Sequence, residues 1–134
     1  MAESLIVDAN PLLSALLGGT ARDVILSGKF SLYSTQHTLF EVEKYLPLLA
    51  HRLKLTEMEL FREFLLLPII ACQPLVYDLR LPEASQLIGH RDPKDVQILA
   101  LTLQLGYPIW TEDRDFDDLP GIVVRKTADL LTLL

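Results

Sequence analysis

Cysteine is almost absent from this chain, and features that mark secreted or membrane proteins are missing as well. Cys72 is the only cysteine among 134 residues, so an internal disulfide is excluded. The first twenty residues lack the basic start and continuous apolar core of a signal peptide, because Asp8 interrupts the apolar stretch. The longest apolar run, 64–72, contains Pro68 and is shorter than the roughly 20 residues of a membrane-spanning helix. We therefore expect a cytoplasmic protein with no membrane association.

Positive charge is also scarce. The chain has 12 Lys and Arg against 18 Asp and Glu, which gives a formal net charge of −6. An acidic chain has no general attraction for nucleic acid, which normally supplies most of the non-specific affinity. This argument fails if the acidic residues cluster around divalent cations, because bound metal reverses the local sign of the charge. The positions of the acidic residues therefore decide which functions remain open.

Apolar residues, in contrast, are abundant, at 50% of the chain against 22% charged residues, which is typical of a folded globular domain. The length predicts a single domain over residues 1–134. Short apolar segments alternate with helical patterns, and strands are predicted at 4–7, 30–33, 68–71, 107–110 and 122–124. This alternation predicts an α/β fold with a mostly parallel sheet of about five strands and helices on both faces.

Polar residues mark the starts of two helices in the first half of the chain. A helix that continues through Leu46 is expected to begin at Thr35 or Thr38. Thr56 and Glu59 have the spacing of a capping box, in which each side chain binds a backbone N–H group near the other. A second helix is therefore predicted to begin after Thr56.

Several acidic residues follow predicted strands or begin predicted helices. Asp8 lies at the carboxyl end of the first strand, and Asp113 lies just beyond the strand that ends at Trp110. Asp95 lies at the start of a long helix, and Glu41 lies on the helix after the second strand. In an open parallel sheet, ligands bind outside the carboxyl ends of the strands. We therefore expect the three aspartates to converge there, with Glu41 projecting into the same crevice.

A group of carboxylates without partners is stable only if it binds something positive. Mutual repulsion would cost several kcal/mol, and no lysine or histidine has a spacing that neutralises the whole group. Oxygen ligands of this type are typical of Mg²⁺ or Mn²⁺ sites. Zinc fits less well, because the three histidines are scattered and Cys72 has no second cysteine. A metal held by a few carboxylates is suited to phosphate chemistry.

Other acidic residues have simpler explanations. Asp92 precedes Pro93 and is best explained as the cap of the long helix, which is expected to end at Gly106. A solvated turn explains most of an acidic run formed by Asp115, Asp117 and Asp118. Their roles, and that of Asp92, remain open from the sequence alone.

Four segments carry the candidate acids in a characteristic order. They are Ile6–Asn10, Leu39–Val42, Arg91–Val96 followed by Ile98–Leu101, and Ile109–Phe116. Together they resemble the motifs of the PIN-domain ribonucleases, and the size is similar to that of stand-alone VapC-type toxins. The resemblance covers essentially the whole chain and implies a PIN-like three-layer sandwich.

The resemblance implies a Mg²⁺- or Mn²⁺-dependent endoribonuclease in which a metal-activated water attacks the scissile phosphate. By position, the acids that match the catalytic and metal-binding set are Asp8, Glu41, Asp95 and Asp113. Asn10 and Thr111 match polar residues that orient these acids, and Asp115 matches an additional acid of some members.

The resemblance also implies partners. Stand-alone toxins of this kind act on RNA and pair with a small antitoxin protein, which is expected to cover the crevice. Homodimers are common among them, and residues 46–67 have apolar surface available for one. The sequence reveals neither the RNA target nor whether one metal ion or two would bind.

Two other functions remain to be compared. One is a PIN-like scaffold or RNA-binding domain without turnover, although idle clustered carboxylates would only destabilise such a protein. The other is a phosphatase with Asp8 as the nucleophile. Such phosphatases usually have a second acid two residues later, where this chain has Asn10.

Overall fold

A five-stranded parallel sheet forms the centre of the structure, a computed structural model that describes residues 3–134. The strands are β1 (Glu3–Val7), β2 (Phe30–Thr35), β3 (Ile69–Cys72), β4 (Ile109–Trp110) and β5 (Val124–Arg125). Their order is β3-β2-β1-β4-β5, and all four pairings are parallel. The predicted α/β fold with about five mostly parallel strands is confirmed.

Helices cover both faces of this sheet. The described residues form α1 (Ala9–Leu16), α2 (Ala21–Leu26), α3 (Gln36–Lys44), α4 (Leu46–Leu53), α5 (Glu57–Leu66), α6 (Pro74–Tyr77), α7 (Leu81–Ile88), α8 (Val96–Leu105) and α9 (Thr127–Leu131). Short 3₁₀ turns lie at Asp78–Arg80, Pro93–Asp95 and Arg114–Phe116. Within residues 3–134, no helix has both the length and the apolar character needed to cross a membrane.

Alternate residues of the central strands enter two separate cores. Leu5 and Val7 pack with α1 to α5 and α9, whereas Ile6 packs with α6 to α8, and all three are fully buried. In β4, Trp110 belongs to the first core and Ile109 to the second. Continuous apolar strands of this kind are expected where a parallel sheet is covered on both faces. The architecture is a three-layer sandwich, as expected.

The helix predicted to continue through Leu46 is divided into two. Thr35 caps α3, and its Oγ1 accepts a hydrogen bond from the Thr38 backbone N–H at 2.8 Å. This helix ends at Lys44, and α4 begins with Pro47 in its first turn. Proline cannot continue a preceding helix because it lacks a backbone N–H, but its fixed φ suits a first turn.

Other local predictions have mixed outcomes. The capping box of Thr56 and Glu59 is present, with hydrogen bonds of 3.1 and 3.0 Å. The last strand, predicted at 122–124, begins later because a turn at Gly121, with φ of 75°, occupies the preceding residues. The short helices α6 and α9 were not predicted, since four or five residues give too little periodicity for a helical pattern.

The strand order creates a switch point between β1 and β4. The chain passes from β2 outward to β3 on one side, then crosses to place β4 on the other side of β1. The carboxyl ends of the two central strands are joined by a hydrogen bond from Asp8 N–H to the Trp110 carbonyl at 3.0 Å. Ligands of open α/β sheets bind at such a point.

Candidate metal centre

Three aspartates meet at the switch point. Asp8, Asp95 and Asp113 each contribute a carboxylate oxygen, and these oxygens lie within 4.8 Å of one another. Asp8 directly follows β1, Asp95 directly precedes α8, and Asp113 lies in the loop after β4. Asp8 and Asp95 are only 7% and 8% exposed. The structure therefore brings together the three aspartates that were expected to converge.

Asp8 is held by hydrogen bonds to both of its carboxylate oxygens. Its Oδ1 accepts the Ala9 backbone N–H at 2.8 Å, which caps α1. Its Oδ2 accepts the hydroxyl of Thr111 at 2.7 Å. The Thr111 hydroxyl oxygen also accepts the Asp113 backbone N–H at 3.0 Å, so this fully buried threonine links two of the three aspartates.

Asn10 and Asp115 support the same loop in different ways. The Asn10 amide donates to Thr111 Oγ1 at 3.3 Å, and its Oδ1 accepts the Glu112 backbone N–H at 3.1 Å. The Asp115 backbone N–H donates to Asp113 Oδ1 at 2.9 Å. These contacts fix the path of the loop and the direction of the Asp113 carboxylate.

Asp95 stands at the end of a short capped turn. Asp92 Oδ1 accepts the Lys94 backbone N–H at 2.9 Å, so Asp92 is a cap, but of the 3₁₀ turn Pro93–Asp95 that precedes α8 and not of the long helix itself. Asp95 Oδ2 is buried and has no hydrogen-bond partner among the described residues. A buried carboxylate oxygen without a partner is costly unless a ligand satisfies it.

Burial and mutual repulsion disfavour the charged forms of these acids. Burial, followed by the charges of Asp8, Asp92 and Asp113, raises the pKa of Asp95 to about 8. The pKa of Asp8 is also raised, chiefly by burial, although the hydrogen bond from Thr111 opposes this shift. The sequence did not lead us to expect that the charge of Asp92 contributes to the raised pKa of Asp95. Its position three residues before Asp95, in the same turn, was the available signal.

Glu41 is not part of this group of carboxylates. Its side chain is 22% exposed, and Oε1 lies 3.7 Å from His37 Nε2 and 4.0 Å from Lys44 Nζ, all on α3. The helix begins where β2 ends, next to β1, but the ion pairs of Glu41 are formed within α3. Its expected role in the metal site remains a prediction.

The acidic run after Asp113 is partly paired. Asp117 lies 2.9 Å from Lys126 Nζ, and Asp118 binds Arg91 at 2.8 Å. The Arg91 guanidinium lowers the pKa of Asp118 through a hydrogen bond and its charge. Both aspartates are exposed, as expected for a turn, but their partners lie on other segments of the chain.

The three carboxylates fit a divalent cation. None of them forms an ion pair with a basic side chain of residues 3–134. Oxygen ligands of one Mg²⁺ lie roughly 3–4 Å apart, so small side-chain adjustments would let the three aspartates share an ion. Such an ion would also satisfy Asp95 Oδ2. The chemistry of the donors therefore fits a hard divalent cation.

Comparison with known proteins identifies the family. Residues 6–134 match the family model of the PIN domain. The chain belongs to the PIN domain family. The match covers β2 to β5, the end of β1 and the segments that carry the three aspartates.

Solved structures share this PIN fold at low sequence identity. VapBC2 from Rickettsia felis, bound to a DNA fragment from its promoter, has a TM-score of 0.70 and 10% identity over 92% of this chain and 98% of the other. A toxin-antitoxin complex from Klebsiella pneumoniae has a TM-score of 0.64 and 20% identity over 89% and 95%. Mycobacterium tuberculosis VapC20, a sarcin-ricin loop cleaving toxin, has a TM-score of 0.59 and 17% identity over 88% and 98%. Among curated protein sequences, none matches the chain.

Proposed function

We propose that this PIN-domain protein is a Mg²⁺- or Mn²⁺-dependent endoribonuclease. The observation that carries the proposal is the convergence of Asp8, Asp95 and Asp113, including a buried carboxylate oxygen without a partner. The cluster lies at the switch point of the sheet, where α/β enzymes bind their ligands. Membership of the PIN family and the fold shared with an RNA-cleaving toxin support the choice of RNA as substrate.

The three aspartates would hold the ion. Glu41 is proposed as a fourth acid that lies outside this group, against His37 and Lys44 of its own helix. A bound divalent ion supplies Lewis-acid stabilisation of the phosphate and activation of water for in-line attack. Thr111 and Asn10 keep Asp8 and the Asp113 loop in place, and Asp115 directs the Asp113 carboxylate. Attack by water on phosphorus, with cleavage of the bond to the 3′ oxygen, leaves 5′-phosphate and 3′-hydroxyl ends.

RNA cleavage by the purified protein tests this proposal directly. With 5′- and 3′-labelled RNAs of varied structure, we expect cleavage in Mn²⁺ or Mg²⁺ and none when EDTA replaces the metal. The product ends should be 5′-phosphate and 3′-hydroxyl. Mn²⁺ binding without cleavage of any RNA would favour a non-catalytic scaffold. Hydrolysis of phosphomonoesters with no cleavage of RNA would favour a phosphatase.

We further propose that the protein is the toxin of a type II toxin-antitoxin pair. Support comes from the fold that it shares with VapBC2 and with the Klebsiella pneumoniae complex. The expected partner is a small antitoxin that covers the crevice, and an arginine from it would complement the aspartates. A short gene for a DNA-binding protein that overlaps or adjoins this one would support this role.

A homodimer is also part of the proposal. The sequence places its interface in 46–67; we propose instead the segment after β3, which carries the two most exposed leucines of the described residues. Leu75 and Leu79 are 84% and 88% exposed and stand four residues apart. No charged residue occurs from 69 to 77, and large uncharged apolar surfaces commonly mark interfaces.

Substitution of one of these leucines tests the interface. Leu79→Glu is expected to weaken the dimer by about 30-fold, the effect of losing roughly 2 kcal/mol at an interface hot spot. Light scattering across a concentration series measures this change. Leu66→Glu, at a position 79% exposed on α5, is the control. If Leu66→Glu dissociated the dimer and Leu79→Glu did not, the interface would lie in 46–67 instead.

A further inference from the structure

Arg91 joins the two loops that carry Asp95 and Asp113. Its Nη1 donates to the Asp115 carbonyl at 2.9 Å and to Asp118 Oδ1 at 2.8 Å. Its Nη2 donates to Asp118 Oδ2 at 3.2 Å. The planar guanidinium therefore holds both oxygens of one carboxylate and a backbone carbonyl at the same time, which a point charge cannot do.

These contacts lead from one aspartate of the cluster to another. Arg91 lies four residues before Asp95. Its backbone N–H donates to the Ile88 carbonyl at 2.9 Å, which connects it to the end of α7. On the other side, Asp115 accepts from Arg91 through its carbonyl and donates to Asp113 Oδ1 through its N–H. One residue thus connects the guanidinium to the Asp113 carboxylate.

We propose that Arg91 is a positioning residue, which keeps the Asp113 loop against the Asp95 turn so that both carboxylates reach one divalent ion. This inference rests on the proposed metal-dependent function and assigns Arg91 a task other than binding RNA phosphate. The bidentate contact to Asp118 leaves the guanidinium engaged within the protein, on the side of these two loops.

Charge and position have opposite effects on metal affinity, which makes the proposal testable. If electrostatics alone acts, removing the positive charge of Arg91 strengthens cation binding at the acidic cluster or leaves it unchanged. Removing the connection between the loops weakens cation binding, because the ligands lose their fixed separation. The direction of the change in affinity therefore separates the two explanations.

The experiment measures Mn²⁺ binding by calorimetry, with no RNA present. Arg91→Ala is expected to raise the dissociation constant by about 10-fold, the usual size for losing a residue that orients a metal ligand. Arg91→Lys keeps the positive charge but cannot hold both oxygens of Asp118 at once. A rise of about 3-fold or more in the dissociation constant is expected. Amide hydrogen exchange of residues 111–118 should accelerate in both variants.

Arg80→Ala is the matched control. The Arg80–Glu83 pair has the same 2.8 Å distance and comparable exposure, but it lies at the other end of α7. Its dissociation constant for Mn²⁺ should stay within about 2-fold of the wild type, because the pair touches neither loop.

Each result decides a different question. Unchanged or tighter Mn²⁺ binding in Arg91→Ala, or wild-type affinity in Arg91→Lys, would overturn the positioning role while leaving the proposed function intact. If the wild-type protein bound no Mn²⁺, or bound it equally after Asp95→Asn, the proposed metal site would fail and the positioning role with it.

Discussion

Asp8→Asn is expected to abolish metal-dependent RNA cleavage while the fold is retained. An amide removes one of three negative charges at the cluster, so we expect a rate loss of at least about 10²-fold. Asparagine is also a good helix cap, and its side-chain oxygen can keep the contact to the Ala9 N–H, although the Thr111 hydroxyl loses the carboxylate oxygen that accepts its proton. The substitution therefore changes the charge of the site with little change to its packing.

Cleavage rates in Mn²⁺, far-UV circular dichroism and Mn²⁺ calorimetry on the same samples measure this prediction. Asp23→Asn, which removes an exposed carboxylate from α2, is the control for the loss of one negative charge. It should cleave RNA at the wild-type rate. Undiminished cleavage by Asp8→Asn would show that this carboxylate takes no part in the reaction.

Asp95→Asn is expected to stabilise the metal-free protein at pH 8. The wild-type protein must bury a carboxylate beside two others, and Asp95 Oδ2 has no partner to compensate. Replacing it by a neutral amide should raise the free energy of unfolding by about 2–4 kcal/mol, or the melting temperature by roughly 7–14 °C. The stabilisation of the wild-type protein by Mn²⁺ should be lost in this variant.

The same prediction has a defined pH dependence. The folded-state pKa of Asp95, about 8, lies above its ordinary value near 4, so the folded protein binds a proton that the unfolded chain releases in this window. The stability due to this proton is complete below about pH 4 and is lost as the pH rises through about 8. The raised pKa of Asp8 acts in the same direction.

Urea unfolding in EDTA at several pH values between 5 and 8 measures this effect. The wild-type protein should lose several kcal/mol across the range, and Asp95→Asn should lose clearly less. Asp23→Asn again serves as the control and should follow the wild-type curve. Parallel curves for the wild type and Asp95→Asn would mean that Asp95 is ionised throughout, and the argument from burial would be wrong.

Much of the site follows from short-range sequence signals. Apolar runs that end in acidic residues place Asp8 and Asp113 at the same edge of a parallel sheet, and a proline-marked helix start places Asp95 there too. These deductions need only the order of the elements. They do not depend on how each helix is rotated about its axis.

The features that short-range signals leave open depend on such rotations and on contacts between distant loops. Glu41 lies on α3, and the rotation of this helix about its axis is set by the packing of its buried residues Thr38 and Val42. The sequence does not fix that rotation closely enough to direct the Glu41 side chain. The pairing of Arg91 with Asp118 joins two irregular loops, for which no periodic pattern exists. Short-range signals therefore predict the aspartates but not the contacts that arrange them.

The strand order also has a consequence for folding during synthesis of the protein. Ile6 in the first strand pairs with Ile109, so the central strands can join only after most of the polypeptide has been synthesised. A nascent chain on the ribosome has Asp8 long before it has Asp113. An enzyme that degrades RNA would thus stay inert beside the transcript and the ribosome that produce it, until the last strands have emerged.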